Sequence, residues 1–371
     1  MKRRVWIVVA PLALVLVIAL SAFRHQAVTF GTPLVQDANT LEARSFEVIP
    51  ASAPGRVFDC VGPQADVAPE PSPNLRWTDP LVRDVIDGVQ PLSALPEQAQ
   101  LELVSAGPWL ETTLACGGRT TVAATDGIGP FAEVRHGRRQ SMPRMMEFLS
   151  TAAPLSLRQL LAQGRLDDAR ERCLDALVLT IGWLRLEGLE AMLPTLGPLR
   201  STLAVCTAIP LDQSASSARF AQRLASVRAL VPSFREVLTI ERTQVGLRLF
   251  GGWLPPSLDV QLPGPARDFT RLQRETLWDR GVPATLALRA YWKRYDAGMR
   301  ALDDASQQQA GPTRVAALKA AQLTFEAPFL RRFLAADPVD LRYDAYVTYL
   351  DSLDAQLDAF LIGAKAATAA H

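Results

Sequence analysis

One carboxylate in the sequence is placed where an acid-catalysed reaction could use it. Glu241 lies in TIERTQVGLRLFGGW, inside an otherwise apolar helical pattern. Burial keeps a carboxyl group protonated to higher pH, as a general acid requires. Arg242 and Arg248 follow it, and Arg235 and Glu236 precede it by one or two turns, which is also typical of a salt-bridged helix face. Glu241 is the candidate catalytic residue, and an ordinary ion-paired role is the alternative.

A second candidate is the cationic loop EVRHGRRQSMPR. Arg135, His136, Arg138 and Arg139, followed by Arg144, form the densest run of charge after the N-terminus. Such a run suits an anion or a lipid headgroup, and a solvated loop is the simpler interpretation. No nucleophile motif, Walker loop or dinucleotide fingerprint accompanies it. We expect no metal site and no cofactor.

The four cysteines predict disulfide bonds, because an even number in an exported chain is typical of a disulfide framework. They are Cys60, Cys116, Cys173 and Cys206. Proximity along the chain favours Cys60–Cys116 and Cys173–Cys206. The second pair lies about 15 and about 18 residues from a helix–helix joint at Gly188, at similar heights on the two helices. Four buried free thiols are the alternative.

The N-terminal run over residues 5–23 carries no charge and follows three basic residues. Its length is just enough to cross a hydrocarbon core of about 30 Å. The basic flank predicts a cytoplasmic N-terminus and a body on the far side of the membrane. We therefore expect residues 1–24 to form a single-pass anchor in a bacterial inner membrane, with a periplasmic or extracellular body. Ala19 and Ser21 leave open a signal peptide cut before Ala22.

The rest of the chain divides by composition. Residues 25–78 are rich in proline and predict an extended spacer, with RSFEVIPA and GRVFDCVG as possible short strands. Residues 79–371 predict an all-α body, an irregular helical-hairpin array or bundle. The helical pattern in LPEQAQLELVSAGPWLETTLACGG predicts a break at Gly107-Pro108. Later helices are predicted near 144–163, 166–187, 189–208, 214–230, 233–250, 266–280, 284–305, 313–335 and 342–365.

The clearest hairpin is LRQLLAQGRLDDARERCLDALVLTIGWL. Apolar residues recur every three or four positions on both sides of Gly164, so both stripes should face inward. The segment QGRLDDARERCLDAL resembles a tetratricopeptide hairpin, with the glycine turn and the small Ala169 and Ala176 that such hairpins pack closely. No second copy follows at a 34-residue period. More broadly, the layout resembles bacterial exported proteins with one N-terminal anchor and an α-helical body, and this resemblance implies no activity.

The C-terminal helix predicts a short coiled-coil-like seam that packs on the body or on a partner. Its apolar positions alternate at spacings of four and three, and three aspartates line another face, where we expect them to be solvated. The seam residues are Tyr346, Leu350, Leu353, Leu357 and Phe360.

Net charge also limits function, because +1 over 371 residues provides no global field for nucleic acid. The leading expectation is a membrane-anchored scaffold or protein-interaction module of the cell envelope, with a protein partner and no catalytic activity. The alternatives are a hydrolase of a cell-envelope polymer that uses Glu241 as general acid, and an extracytoplasmic ligand-binding domain. A buried, unpaired Glu241 in a deep pocket would favour the hydrolase, and an apolar groove would favour the interaction module.

Overall fold

The computed structural model describes residues 29–70, 74–76, 78–125, 142–212, 214–250, 284–323 and 343–369, with Leu14, Val17, Ile18, Ser21 and His25. This part of the chain is mostly helical, which confirms the all-α class. Its elements in chain order are α1 (29–42), β1 (Ser45–Glu47), β2 (Ala53–Arg56), α2 (Val57–Asp66), α3 (Pro80–Ile86), a 3₁₀ turn (Leu92–Ala94), α4 (Glu97–Cys116), β3 (Arg119–Ala123), α5 (Met142–Ala162), α6 (Leu166–Glu187), α7 (Leu189–Thr207), α8 (Ala215–Ala229), α9 (Phe234–Phe250), α10 (Ala284–Ser306), α11 (Pro312–Leu323) and α12 (Tyr343–Ala369).

The chain forms two compact units, and each is drawn from separate stretches of sequence. Unit 1 contains Met1–Leu41, Glu133–Gly137 and Leu238–Val347. Unit 2 contains Glu42–Ala132, Arg138–Val237 and Thr348–His371.

The centre of unit 2 is formed by three consecutive helices, α5, α6 and α7, which pack against one another. The turns between them are Gly164 and Gly188, with φ of 68° and 67°. Glycine adopts this left-handed backbone without a steric cost, which explains why each helix ends there. The predicted hairpin over α5 and α6 is therefore present. Its inward stripes are buried, at Leu157, Leu160, Ala169, Cys173, Leu177, Ile181 and Leu184.

A small three-stranded sheet packs in the same unit, and the sequence pattern predicts no strand at its central member, β3. The strand order is β1-β3-β2, with β1 antiparallel and β2 parallel to β3. Helix α6 approaches this sheet closely at Gly182, where an added Cβ would lie 3.2 Å from Val122 and 3.5 Å from Phe58. A larger side chain there would collide with the core.

Both predicted disulfide pairings are confirmed. Cys60 in α2 is bonded to Cys116 at the end of α4, with 5.5 Å between the Cα atoms. Cys173 in α6 is bonded to Cys206 in α7, with 5.7 Å between the Cα atoms. The second bond joins two antiparallel neighbours at matching distances from Gly188, as the helix lengths predicted.

The extended conformation predicted for residues 25–78 is wrong over much of that range, because residues 29–42 form α1 and Val57–Asp66 form α2. The proline content hid an apolar face in α2, where Val57, Phe58 and Val61 are almost fully buried. Pro63 is accommodated inside that helix. Of the two possible strands, RSFEVIPA contains β1, whereas GRVFDCVG is largely helical.

The break predicted at Gly107-Pro108 is also wrong, because α4 continues through Pro108 to Cys116. The proline removes one hydrogen-bond donor, which should free the carbonyl four residues earlier, at Val104. Val104 is 72% exposed, so water can reach the helix surface beside this carbonyl. Meanwhile Ala106, Leu110 and Leu114 form one buried stripe across the proline, which favours an unbroken helix.

Unit 1 contains most of α1, α9, α10 and α11 and the first residues of α12. Gly246 in α9 allows close contact, since an added Cβ would overlap the side chains of Leu34 and Trp292. Trp292 and Tyr295 are buried and stack with 5.9 Å between their ring centroids, so both belong to the core of this unit.

The predicted anchor falls almost entirely outside the described residues. Within the part that the structure describes, no helix has both the length and the apolar character needed to cross a membrane. The predicted helix near 266–280 also lies outside the described residues.

Candidate functional site

The structure places Glu241 on α9 in unit 1, half-buried and with an interaction partner. Its neighbour Arg242 contacts Asp296 at 2.6 Å and Asp37 at 3.6 Å, and lies 5.6 Å from the ring of Trp292. Arg242 is thus an ion-paired residue of this helix face. The general-acid role of Glu241 stays a prediction.

The cationic candidates Arg135, His136, Arg138 and Arg139 lie outside the described residues, so the anion site stays a prediction. Arg144, the last member of that run, is described. It donates a hydrogen bond to the carbonyl oxygen of Ala68 at 2.6 Å, which ties the start of α5 to the segment after α2.

A buried charge cluster lies where α6, α8 and the end of α4 meet in unit 2. Arg223 of α8 is 1% exposed, and its Nη2 lies 2.7 Å from Asp175 Oδ1 and 2.8 Å from the carbonyl oxygen of Gly117. Its Nη1 lies 3.2 Å from Glu171 Oε2. Asp175 and Glu171 are one helical turn apart on α6, so one planar guanidinium reaches both carboxylates and a backbone carbonyl.

Asp175 has an unusual acidity for an ion-paired group. Burial raises the pKa of this carboxyl to about 6, and the neighbouring Arg223 opposes the increase. Gly117 lies so close that an added Cβ would overlap the backbone of Asp175. The cluster therefore links three elements through a tightly packed, solvent-poor contact, which is a structural role.

Arg185 provides a second internal link in unit 2. Its Nη1 donates to the carbonyl oxygens of Ala229, Leu230 and Val231 at 3.0–3.2 Å, at the C-terminal end of α8. Its Nη2 lies 2.9 Å from Glu236, and the guanidinium is 4.0 Å from the ring centre of Phe46. A cation at this position satisfies the last carbonyls of the helix and its negative dipole end.

Unit 2 has a groove between α7 and α12, with a volume of about 590 Å³. We call it the α7/α12 groove. Helix α7 contributes positions i, i+3, i+4 and i+7, and α12 contributes i, i+3, i+4, i+7 and i+8, so each helix presents one face. The lining residues are Arg200, Leu203, Ala204, Thr207 and Leu211 from α7 and the loop after it, and Gln356, Ala359, Phe360, Gly363 and Ala364 from α12.

The floor and the rim of the groove differ in character. Leu203, Phe360 and Ala364 are buried and form an apolar floor. The exposed rim includes Ala204 and Ala359, whose small side chains leave room for another backbone to approach. Two small-residue helix faces side by side form a channel of the kind that an additional helix can occupy.

The charged residue of the described groove lining is a cation, Arg200. Arg200 is exposed at one end of the α7 face and makes no ion pair with a described residue. Two of the acids on α12 share one cation, because Arg228 contacts Asp358 at 2.6 Å and Asp354 at 3.1 Å. The hydrogen bonds from Arg228 hold the pKa of Asp358 below its ordinary range. The solvation predicted for these two aspartates is thus only partial.

The C-terminal seam is confirmed as packed, and the groove lies beside it. Tyr346, Leu350, Leu353, Leu357 and Phe360 are all buried. The groove itself was not predicted from the sequence. One local signal of an apolar surface was present, because the stretch AMLPTLGPLRSTLAVCTAI carries Arg200 as its single charge. The buried pair Arg223–Asp175 gave no comparable signal, since Arg219 and Arg223 look alike in sequence.

The chain was compared with known protein families, sequences and structures. No protein-family model, curated protein sequence or solved structure matches the chain. The tetratricopeptide resemblance therefore stays a likeness of one hairpin.

Proposed function

We propose that this chain is an exported interaction module of a bacterial cell envelope, tethered to the inner membrane by residues 5–23, which binds a protein partner through the α7/α12 groove. The groove carries the proposal, because it is an apolar channel with an exposed rim between two well-packed helices. Exposed apolar channels of this kind are typical of protein-binding sites.

Two further features support the proposed compartment. The bonds Cys60–Cys116 and Cys173–Cys206 are of the kind that persists in oxidising surroundings such as the periplasm. The uncharged run over residues 5–23 and its basic flank favour a tethered body outside the cytoplasm.

The compartment is tested by protease protection of the full chain carrying a C-terminal tag. We expect the tag to be digested in intact spheroplasts and the protein to pellet with membranes. A released protein whose N-terminus is Ala22 would replace the anchor with a signal peptide and leave export in place. A tag protected until the membrane is dissolved would contradict export.

The binding function is tested by chemical cross-linking in membranes followed by purification. Ala359→Trp places a large side chain on the groove rim and should abolish a cross-link that the unmodified chain forms. Val104→Trp is the matched control, since Val104 is 72% exposed on α4, which contributes nothing to the groove lining. Equal capture by both variants would show that the partner does not use the groove.

A further inference from the structure

The α7/α12 groove also constrains the chemistry of what binds in it. This inference rests on the proposed function and makes it specific. Along α7 the lining extends from Arg200 to Thr207, about 11 Å at 1.5 Å per residue. The surface therefore matches about two turns of a helix.

A bound segment must satisfy its own backbone. The lining offers few polar groups, with Arg200, Thr207 and Gln356 as the members that carry polar side-chain atoms. The backbones of α7 and α12 are already hydrogen-bonded within their own helices. An extended peptide would leave several N–H and C=O groups without partners along an apolar floor, whereas a helix bonds its own.

The shape of the rim agrees with a helix. Ala204 on α7 and Ala359 and Gly363 on α12 carry side chains no larger than a methyl group. An added Cβ at Gly363 would meet nothing within 4 Å, so there is open space above this part of the rim. Helices approach to about 8–10 Å between axes when the residues between them are small.

The cations beside the groove indicate which charge one end of the bound segment should carry. Arg200 lies at one end of the lined face of α7, and Lys365 is exposed on α12 two residues after Gly363. Neither forms an ion pair with a described residue, whereas Asp354 and Asp358 are already bound to Arg228. An occupant with a carboxylate near Arg200 would complement this field, and one with a cation there would be repelled.

We propose that the α7/α12 groove binds an amphipathic helix of a partner protein, which places small or apolar side chains against α7 and α12 and a carboxylate against Arg200. An acyl chain with a carboxylate headgroup shares part of this chemistry. The exposed rim and the open space at Gly363 favour the helix, because an acyl chain is bound best in an enclosed tunnel.

The experiment uses the full chain in membranes, with a photoreactive phenylalanine at position 204 or 359 and, as control, at position 104. We expect positions 204 and 359 to cross-link the same helical segment of one partner protein, and position 104 not to do so. The segment is then synthesised, and its Kd for the full chain is measured. Arg200→Glu should weaken binding by at least about tenfold, Arg200→Lys should keep most of it, and Arg56→Gln, an exposed arginine on β2, should not change it.

A charge exchange separates pairing from a general loss of fold. A peptide whose acidic residue is replaced by arginine should bind the Arg200→Glu variant better than it binds the unmodified chain. A groove-bound segment that is extended, lacks an acid or is insensitive to Arg200→Glu overturns this inference and leaves the proposed function in place, as does cross-linking to a second copy of this chain. Cross-linking to lipid alone, or no cross-link above the position 104 control, overturns both.

Discussion

Arg223 and Asp175 form a buried ion pair in unit 2, with 2.7 Å between Nη2 and Oδ1. The guanidinium is 1% exposed and also binds the carbonyl oxygen of Gly117. Because both side chains are out of water, removal of Arg223 leaves Asp175 without its cation, whereas removal of Asp175 leaves Arg223 with the more exposed Glu171. The contact links α6, α8 and the end of α4, so its loss should weaken the whole unit.

We expect Arg223→Met to lower the free energy of unfolding by about 3–5 kcal/mol, because Asp175 loses its cation, and Asp175→Leu to lower it by less, because Arg223 keeps its contact with Glu171. The double variant should lose less than the sum of the two, since it leaves neither partner buried alone. Arg219→Gln is the control. Arg219 is 49% exposed and 3.7 Å from Glu171, so its loss should change stability by at most about 0.5 kcal/mol. Urea unfolding with the disulfides intact measures all four, and strict additivity would contradict the pair.

Stability should also depend on pH through Asp175. The pKa of this carboxyl is raised to about 6 in the folded protein, against about 3.9 in an unfolded chain. The folded state then binds the proton more tightly, so the contribution is complete below about pH 4 and is lost as pH rises through about 6. We expect the stability of the unmodified chain relative to Asp175→Asn to fall by about 2–3 kcal/mol over that window and to be constant above pH 7. A difference that instead grows with pH would mean that the carboxyl ionises below its ordinary value.

The bond Cys173–Cys206 should contribute separately from Cys60–Cys116. It closes a loop with a sequence separation of 33, for which chain entropy predicts a loss of about 4 kcal/mol in the Cys173→Ala/Cys206→Ala double variant, within a usual range of about 2–5. Non-reducing peptide mapping of the unmodified chain checks the pairing. If all four thiols react with an alkylating reagent before reduction, neither bond exists.

Two helical glycines should respond oppositely to leucine. Gly182→Leu forces a large side chain against Val122 and Phe58 and should cost about 1–3 kcal/mol or more. Gly363→Leu enters open space in the middle of a helix and should stabilise by about 0.5–1 kcal/mol through helix propensity. Thermal unfolding of the two variants gives the comparison, and a stabilised Gly182→Leu would contradict the close approach of α6 to the sheet.

Helical periodicity and glycine punctuation predicted α5 to α8 to within about two residues at each end. The bond Cys173–Cys206 followed from the same information, because Gly188 fixes where two antiparallel neighbours meet, whereas Cys60–Cys116 followed from proximity along the chain. The sheet was not predictable in this way. Strand β3 is five residues long and depends on pairing with β1 and β2, which lie more than sixty residues earlier.

The candidate site was less accessible to sequence reasoning than the fold. Glu241 stood out because a charged residue in an apolar pattern is visible in the local sequence. The interaction that this half-buried side chain makes in the fold is not visible there. The α7/α12 groove requires two faces that are separated by about 150 residues, and no local pattern reports which part of each face stays uncovered. Arg228 shows the same limit, because its pairing with Asp354 and Asp358 decides which charges around the groove remain free.

The discontinuous make-up of unit 2 has a consequence for how the protein is made. Leu353, Leu357, Phe360 and Ala364 belong to the same apolar core as α5, α6 and α7. That core cannot close until residues 348–369 have been synthesised, more than a hundred residues after α8. Such long-range contacts fold slowly. If the chain is exported as we propose, late closure is an advantage for crossing the membrane unfolded, because this core forms no folded obstacle before residues 348–369 leave the ribosome.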